Sequence, residues 1–469
     1  MPAPEITQPR REIKMKTQIL TTAVTLSLVA SAAWADVPQS VADRLGKDLT
    51  PMGAEKAGSK SGVDSWSGKA IDGSALLSGY DGGALPNPYA SDKPAYTISS
   101  SNAAEYDAVL TEGQKALLAT YPDTYKLNVY KSRRSCTYPE YVYKAAKRNA
   151  LVGKNVDGGS GISEAIMSSP FPIPSTALEI AWNHSLRYRG MRIARDFNYA
   201  APTANGQYTL TDTRDEIVFD WSNPQFTRAE DLNNISIWFV AYTSAPARRA
   251  GNVVLVHETL NMAKEGRKAW TYSPGTRRVR RAPNIAYDNP VTNGDGLGTS
   301  DQYDGYNGAP DRYDWTVIGK QEKLSQQNNY NAVLTPYSDL LTASHPNQDV
   351  MRYELRRQWV IEANLKSGAR HIYAKRVLRM DEDSNQMSGG EMYDGRGEMW
   401  RIQEIGQAPD FRPEAQTCWT TGGEFTMDLL AGRYLGLAMK SERPANVITG
   451  LDRLTQDYYT PANVRRLGR

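Results

Sequence analysis

Hydrophobic positions fall into two textures along the chain. Before about residue 190 they recur at helical spacing. Tyr106, Val109, Leu110 and Leu117 share one face of a helix predicted over 102–120. A second helix is predicted over 139–149, with Pro139 in its first turn, and a third over 175–187, after the stop signal Pro170-Phe171-Pro172-Ile173-Pro174. A short helical pattern covers 41–48. The surrounding stretch, 36–100, is rich in Gly, Ser and Pro and reads as an extended arm.

From residue 190 the period drops to two. Strands are predicted over 192–199, 207–212, 235–242, 253–260, 268–272, 277–281, 353–365, 372–380 and 398–405. Ser273-Pro274-Gly275 and Lys366-Ser367-Gly368 mark hairpin turns. Helices grouped before strands, with strands joined by turns, define an α+β class. The expected architecture is one large curved antiparallel sheet, a half-barrel with helices covering its concave side. The boundaries read as an arm over 36–100 and one domain over 101–469: helices at 101–188, sheet at 190–410 and a C-terminal segment at 411–469. The Gly-, Asp- and Tyr-rich stretch 287–314 interrupts the strands and reads as an ordered loop or lid.

One apolar run stands outside this pattern. Lys14 and Lys16 precede a mostly apolar stretch over 19–30, too short to span a bilayer, and Ala33-Trp34-Ala35 supplies a small-x-small cleavage pattern. Residues 15–35 therefore read as a secretory signal peptide cleaved after Ala35, and residues 1–14 as an upstream mis-start. No Cys follows the cleavage point directly, which argues against lipid attachment. The expected location is a periplasm, with the mature chain soluble.

Charge changes this picture little. The formal net charge is +3, and the leader holds Arg10, Arg11, Lys14 and Lys16 against Glu5 and Glu12, so the remainder is near +1. No overall basic footprint points to nucleic acid. The two cysteines, Cys136 and Cys418, stand 282 positions apart. An oxidising compartment allows one long-range disulfide, worth on the order of 4–5 kcal/mol by loop closure; two unpaired thiols are the alternative. Aromatic usage is skewed, with 27 Tyr and 10 Trp against 7 Phe. Such amphipathic rings suit binding grooves, and equally strands of an exported β-rich protein.

Motifs for catalysis and cofactors fail one by one. His257-Glu258 lacks a second His at i+4, and His257 reads as a structural histidine. Gly53 and Gly58 have phosphate-loop spacing, but Ser59 occupies the lysine position. Gly294, Gly296 and Gly298 lie in a loop without dinucleotide spacing. Asp301, Asp304, Asp311 and Asp314 match no calcium loop, and Asp381-Glu382-Asp383 and the acids of 391–394 read as turn and cap residues. No metal, cofactor or catalytic residue is assigned, and an enzyme is not expected.

Several ordered segments resemble the bacterial family called the domain of unknown function 1329. They include 49–58; 170–174 with Glu179 and Trp182-Asn183-His184; 357–363 running into 370–376; Asp381-Glu382-Asp383; 393–397; Trp400-Arg401; 431–434; and 459–466. Stretch 270–281 is similar to the strand-turn-strand block of periplasmic lipoprotein-sorting carriers. The resemblance implies exported proteins often encoded beside exporters of the resistance-nodulation-division type and outer-membrane proteins. It also implies a half-barrel sheet closed by helices, and it brings no catalytic residues.

A curved sheet with an apolar concave face must cover or fill it. Trp270 with Tyr272, and Trp359 with Ile361, share sides of their strands and are the candidate ligand-wall residues; packing beneath helices is the alternative. The first functional reading is a binding or shuttle protein for a hydrophobic, lipid-like ligand, working with an envelope exporter and an outer-membrane protein. The second is a non-catalytic interaction module of an envelope assembly. The third is an envelope hydrolase or glycan-active enzyme.

Overall fold

The computed structural model describes residues 37–282, 285, 287–418 and 421–468. The proposed leader and its cleavage point lie outside the described residues. Two short strands come first, β1 (Tyr96–Ile98) and β2 (Leu127–Tyr130), and β3 (Lys154–Val156) and β4 (Gly161–Ser163) form a separate hairpin. Six strands then follow: β5 (Arg192–Ala200), β6 (Thr211–Phe219), β7 (Ile235–Ala245), β8 (Val253–Thr259), β9 (Lys268–Ser273) and β10 (Arg278–Arg281). The last run comprises β11 (Tyr313–Gln326), β12 (Tyr353–Leu365), β13 (Lys375–Asp381), β14 (Met387–Tyr393), β15 (Met399–Gln407), β16 (Thr421–Asp428) and β17 (Arg433–Met439).

All but β3 and β4 join one large, curved, open sheet. β11 to β17 pair antiparallel in chain order, β17 pairs with β5, and β5 to β10 continue to the far edge. β2 adds parallel to the start of β12. Turn chemistry explains the tight connections. The Asp394 carboxylate accepts the N–H groups of Arg396 and Glu398, and Gly397 takes φ 83°. Asp428 accepts from Leu430 and Ala431 ahead of Gly432 at φ 61°.

The helices are few: α1 (Gln39–Ala42), α2 (Glu112–Thr120), α3 (Glu140–Val152), α4 (Ala177–Leu186), α5 (Tyr330–Leu334), α6 (Tyr337–Leu340) and α7 (Pro461–Leu467). α4 starts at a capping box, Thr176 with Glu179, and its Ala177, Ile180 and Ala181 pack on Ile361, Leu378, Met380 and Ile405. α2, also boxed by Thr111 and Gln114, lies over the opposite face, where Leu117 and Leu118 join the cluster of Ile402, Met427 and Tyr434. α7 and the preceding segment cover the back of β5 to β9 through Leu451, Leu454, Tyr459 and Val464.

The helix predicted over 102–120 is broken: a 3-10 turn spans Ala103–Tyr106, and α2 begins only after the Thr111 cap. Near the start of the 36–100 stretch, Ala42, Leu45 and Leu49 are buried against Ala150 and Ile173. Cys136 and Cys418 form a disulfide, tying the strap before α3 to the strap before β16.

Candidate functional site

Register places α4 and one side of β5–β9 on the same sheet face. Ile361 pairs with Leu378 and Leu378 with Gly390, which faces Gln403; two residues on, Ile405 opposes Glu424, and Glu424 opposes Leu437. Leu437 and Ala438 cluster with Phe197 and Tyr199 of β5. From there, cross-strand partners carry the face through Ile217 and Phe239 to Val256.

On this face lies a cavity of about 310 Å³, within the range of small-molecule sites. Its floor is Phe197, Ile217, Phe219, Phe239, Val254 and Val256, and α4 adds Leu178, Trp182 and Leu186. The Trp182 indole N–H is held by the Gly159 carbonyl at 2.9 Å, so its ring edge is fixed. The third wall is the Gly/Asp/Tyr stretch, through Tyr303, Tyr306 and Pro310. Ile237, Phe239, Val254 and Ile285 remain half-buried, so the apolar wall is accessible.

The loop is tied down by its acids. Asp304 pairs with Arg187 at 2.6 Å and Arg189 at 2.8 Å, both just beyond α4. Asp301 is buried against Arg376 and lies 3.0 Å from His371. Gly305, at φ 85°, sits where a Cβ would come within 2.8 Å of Ile405 and Met387 side chains, so only glycine permits this approach. His184 clamps the same point: its Nε2–H donates to the Asp304 carbonyl at 2.8 Å, while Nδ1 accepts the Met387 N–H at 3.0 Å. That pattern requires the neutral ring, and burial, aided by Arg187, lowers its pKa to about 3.

Charges in the wall are internally compensated. Arg195 pairs with Asp215, Arg267 with Glu258 at 2.7 Å, and Arg189 with Asp304. Burial pushes the Asp304 carboxyl upward, but Arg187 and Arg189 outweigh it and hold the group below the usual range. Glu424 goes the other way. Burial, then the adjacent Asp304 charge, pushes it up to about 8, leaving it protonated at neutral pH while it accepts the Asp304 N–H at 3.1 Å. Each arginine of the cavity lining thus has an acidic partner, and Glu424 is the one acid there held neutral. Two more polar positions are open: the buried hydroxyls of Thr213 and Thr259 have no partner among the described residues.

The four sequence-derived wall candidates do not line this cavity. Trp270 and Tyr272 point to the opposite face, across from Leu255 and Val253, and pack in the cluster covered by α7; Thr271 between them lines the cavity instead. Trp359 and Ile361 lie on the cavity's face but beneath α4, in its packing cluster. The alternation within each strand was legible, but which side faced the opening depended on where α4 and α7 dock. The true floor left a faint signal: the odd positions 237, 239 and 241 of β7 are apolar, like their even neighbours 238, 240 and 242, so both faces of that strand are apolar. His257 is structural, its Nε2–H donating to the Tyr459 carbonyl at 2.8 Å. The acids Glu382 and Asp383 pair with Arg357 and Arg134.

An open sheet with an apolar cavity on one face and helices packed on both defines an α+β protein with a sheet-lined cavity. A family model described as "Protein of unknown function (DUF1329)" matches residues 97–465, and the chain belongs to this family. "Uncharacterized protein PA3922" of Pseudomonas aeruginosa is 45% identical over 446 residues, covering 94% of this chain and 96% of that one. Solved structures similar to it include a domain described as an outer membrane lipoprotein-sorting protein from Vibrio parahaemolyticus, at 13% identity and TM-score 0.41, covering 62% of this chain and 98% of that one. A DUF1329 family protein of Desulfovibrio piger shares 12% identity at TM-score 0.38, covering 59% and 92%. A LolA superfamily protein of Nitrosomonas europaea shares 12% at TM-score 0.35, covering 61% and 98%. No helix among the described residues is long and apolar enough to cross a membrane.

Proposed function

We propose that this protein binds a hydrophobic, lipid-like ligand in the cavity between α4, the 287–310 loop and the β5–β9 floor, and acts as a periplasmic carrier. The observation that carries this reading is an accessible apolar cavity whose charges cancel. A bound chain of about ten methylenes gains roughly 8 kcal/mol gross, the scale of a micromolar Kd before ordering costs. No catalytic group is needed for such binding. The signal peptide expected over 15–35 supports the compartment. An inner-membrane exporter of the resistance-nodulation-division type and an outer-membrane protein are the proposed partners, on the family resemblance alone.

The test is extraction of the natively purified protein followed by lipid mass spectrometry. Wild type is expected to carry an acyl lipid, and Ala241→Trp, which places an indole on the cavity floor, to lose it while retaining its fold. Repeatedly empty wild-type protein with no acyl-chain binding in vitro would refute the proposal.

A further inference from the structure

The cavity's outer edge is strongly basic. Residues 264–281 hold Lys264, Arg267, Lys268, Arg277, Arg278, Arg280 and Arg281 against one acid, Glu265, a net +6 in a chain whose total is +3. Arg277, Arg278, Arg280 and Arg281 are all exposed. Among the described residues no carboxylate pairs with any of the four. They occupy β10 and its turn, where the sheet ends. Register sets Arg280 opposite the cavity-lining Thr271, while Arg281, on the other face, stacks over Trp270 at 5.5 Å. Ala282, the next residue, again lines the cavity. α7 packs against β8, β9 and β10 and adds the exposed Arg465 and Arg466.

Charges on an edge strand also deter strand-to-strand aggregation. That role needs only one or two, and it does not explain arginines on both faces of β10 or their continuation onto α7. A protein partner adding a strand would read one face at alternate positions. A charge that points around the whole edge fits an extended polyanion instead.

We propose that the β10 edge, with the exposed end of α7, docks on an anionic phospholipid bilayer and sets the cavity rim against the membrane. Each arginine near such a surface adds about 1 kcal/mol, or roughly fivefold in affinity, and the attraction fades within a Debye length as salt rises.

The test is co-sedimentation of the full protein with phosphatidylcholine vesicles, with and without phosphatidylglycerol. Binding is expected only with the anionic lipid and is expected to fall with salt. Arg278→Ala/Arg280→Ala should weaken it about 30-fold, and Arg465→Ala, on a different element, about fivefold. Arg396→Glu, on the distant β14–β15 turn, should leave it unchanged. Equal binding to both vesicles, salt-insensitive binding, or equal loss in Arg396→Glu would overturn the proposal. So would capture by polyglutamate without vesicle binding, which would indicate an acidic protein partner. Ala241→Trp should keep vesicle binding, so failure of the docking surface and failure of the cavity reading are distinguishable.

Discussion

Glu424→Gln offers the most exacting check on the electrostatics of the cavity wall. Glu424 is 3% exposed, and burial beside Asp304 raises its pKa from 4.5 to about 8. Between those two values the unfolded chain has lost the proton that the folded chain keeps. The folded state binds more protons there, so stability falls as pH rises, by about 1.36 kcal/mol per pH unit. Across the whole window the loss reaches roughly 5 kcal/mol. Glutamine keeps an acceptor for the Asp304 N–H and does not titrate. Urea denaturation at a series of pH values is the assay. Wild type and variant should have similar midpoints near pH 5, and the variant should be increasingly more stable towards pH 8. Parallel profiles would refute the reasoning, because they would mean that Glu424 is ionised in the folded state at no cost.

Asp304→Asn removes the charge that Arg187 and Arg189 share, so limited proteolysis within 287–312 should accelerate, with cleavage elsewhere unchanged. Because Asp304 is held below the usual carboxylate range, its contribution is present above the ordinary Asp pKa and lost on acidification. The wild-type protein should therefore show the same proteolytic release of this loop in strong acid. Cys136→Ser/Cys418→Ser should cost about 5 kcal/mol in chemical denaturation through loop-closure entropy, and reductant should reproduce the loss in wild type. Ile361→Ala, fully buried beneath α4, should cost about 2–5 kcal/mol without changing the headgroup class of any bound lipid.

The strands legible in the sequence are those whose burial alternates or runs apolar. The reading of 353–365 coincides with β12, and 253–260 with β8 to within one residue. β11 escaped because Lys320 to Lys323 run polar on both faces of the strand and Gly319 breaks its register with β12. β14 and β16 escaped because Gly389-Gly390 and Gly422-Gly423 stand where apolar side chains would signal a strand. At Gly390 a Cβ would meet the Val377 carbonyl at 2.6 Å, so close sheet packing itself erased the pattern. For β6 the expected stretch 207–212 stops where the strand begins. The loop over 287–314 was visible as a loop, but its role as a cavity wall depends on Asp304 meeting two arginines more than 110 positions earlier. No local pattern carries that information.

The β17–β5 junction has a consequence for the order in which this chain can mature. Phe197 and Tyr199 need Leu437 and Ala438 beside them, and Glu424 completes the wall begun by residue 178. The back of the same strands waits for Leu451 to Val464. A chain emerging from its N-terminus can pair β5 through β10 early, yet that half-sheet stays bare on its back and lacks its β5 neighbour until residues 433–464 arrive. The cavity therefore exists only once residues 424–464 have been made and packed. A ligand can enter only then.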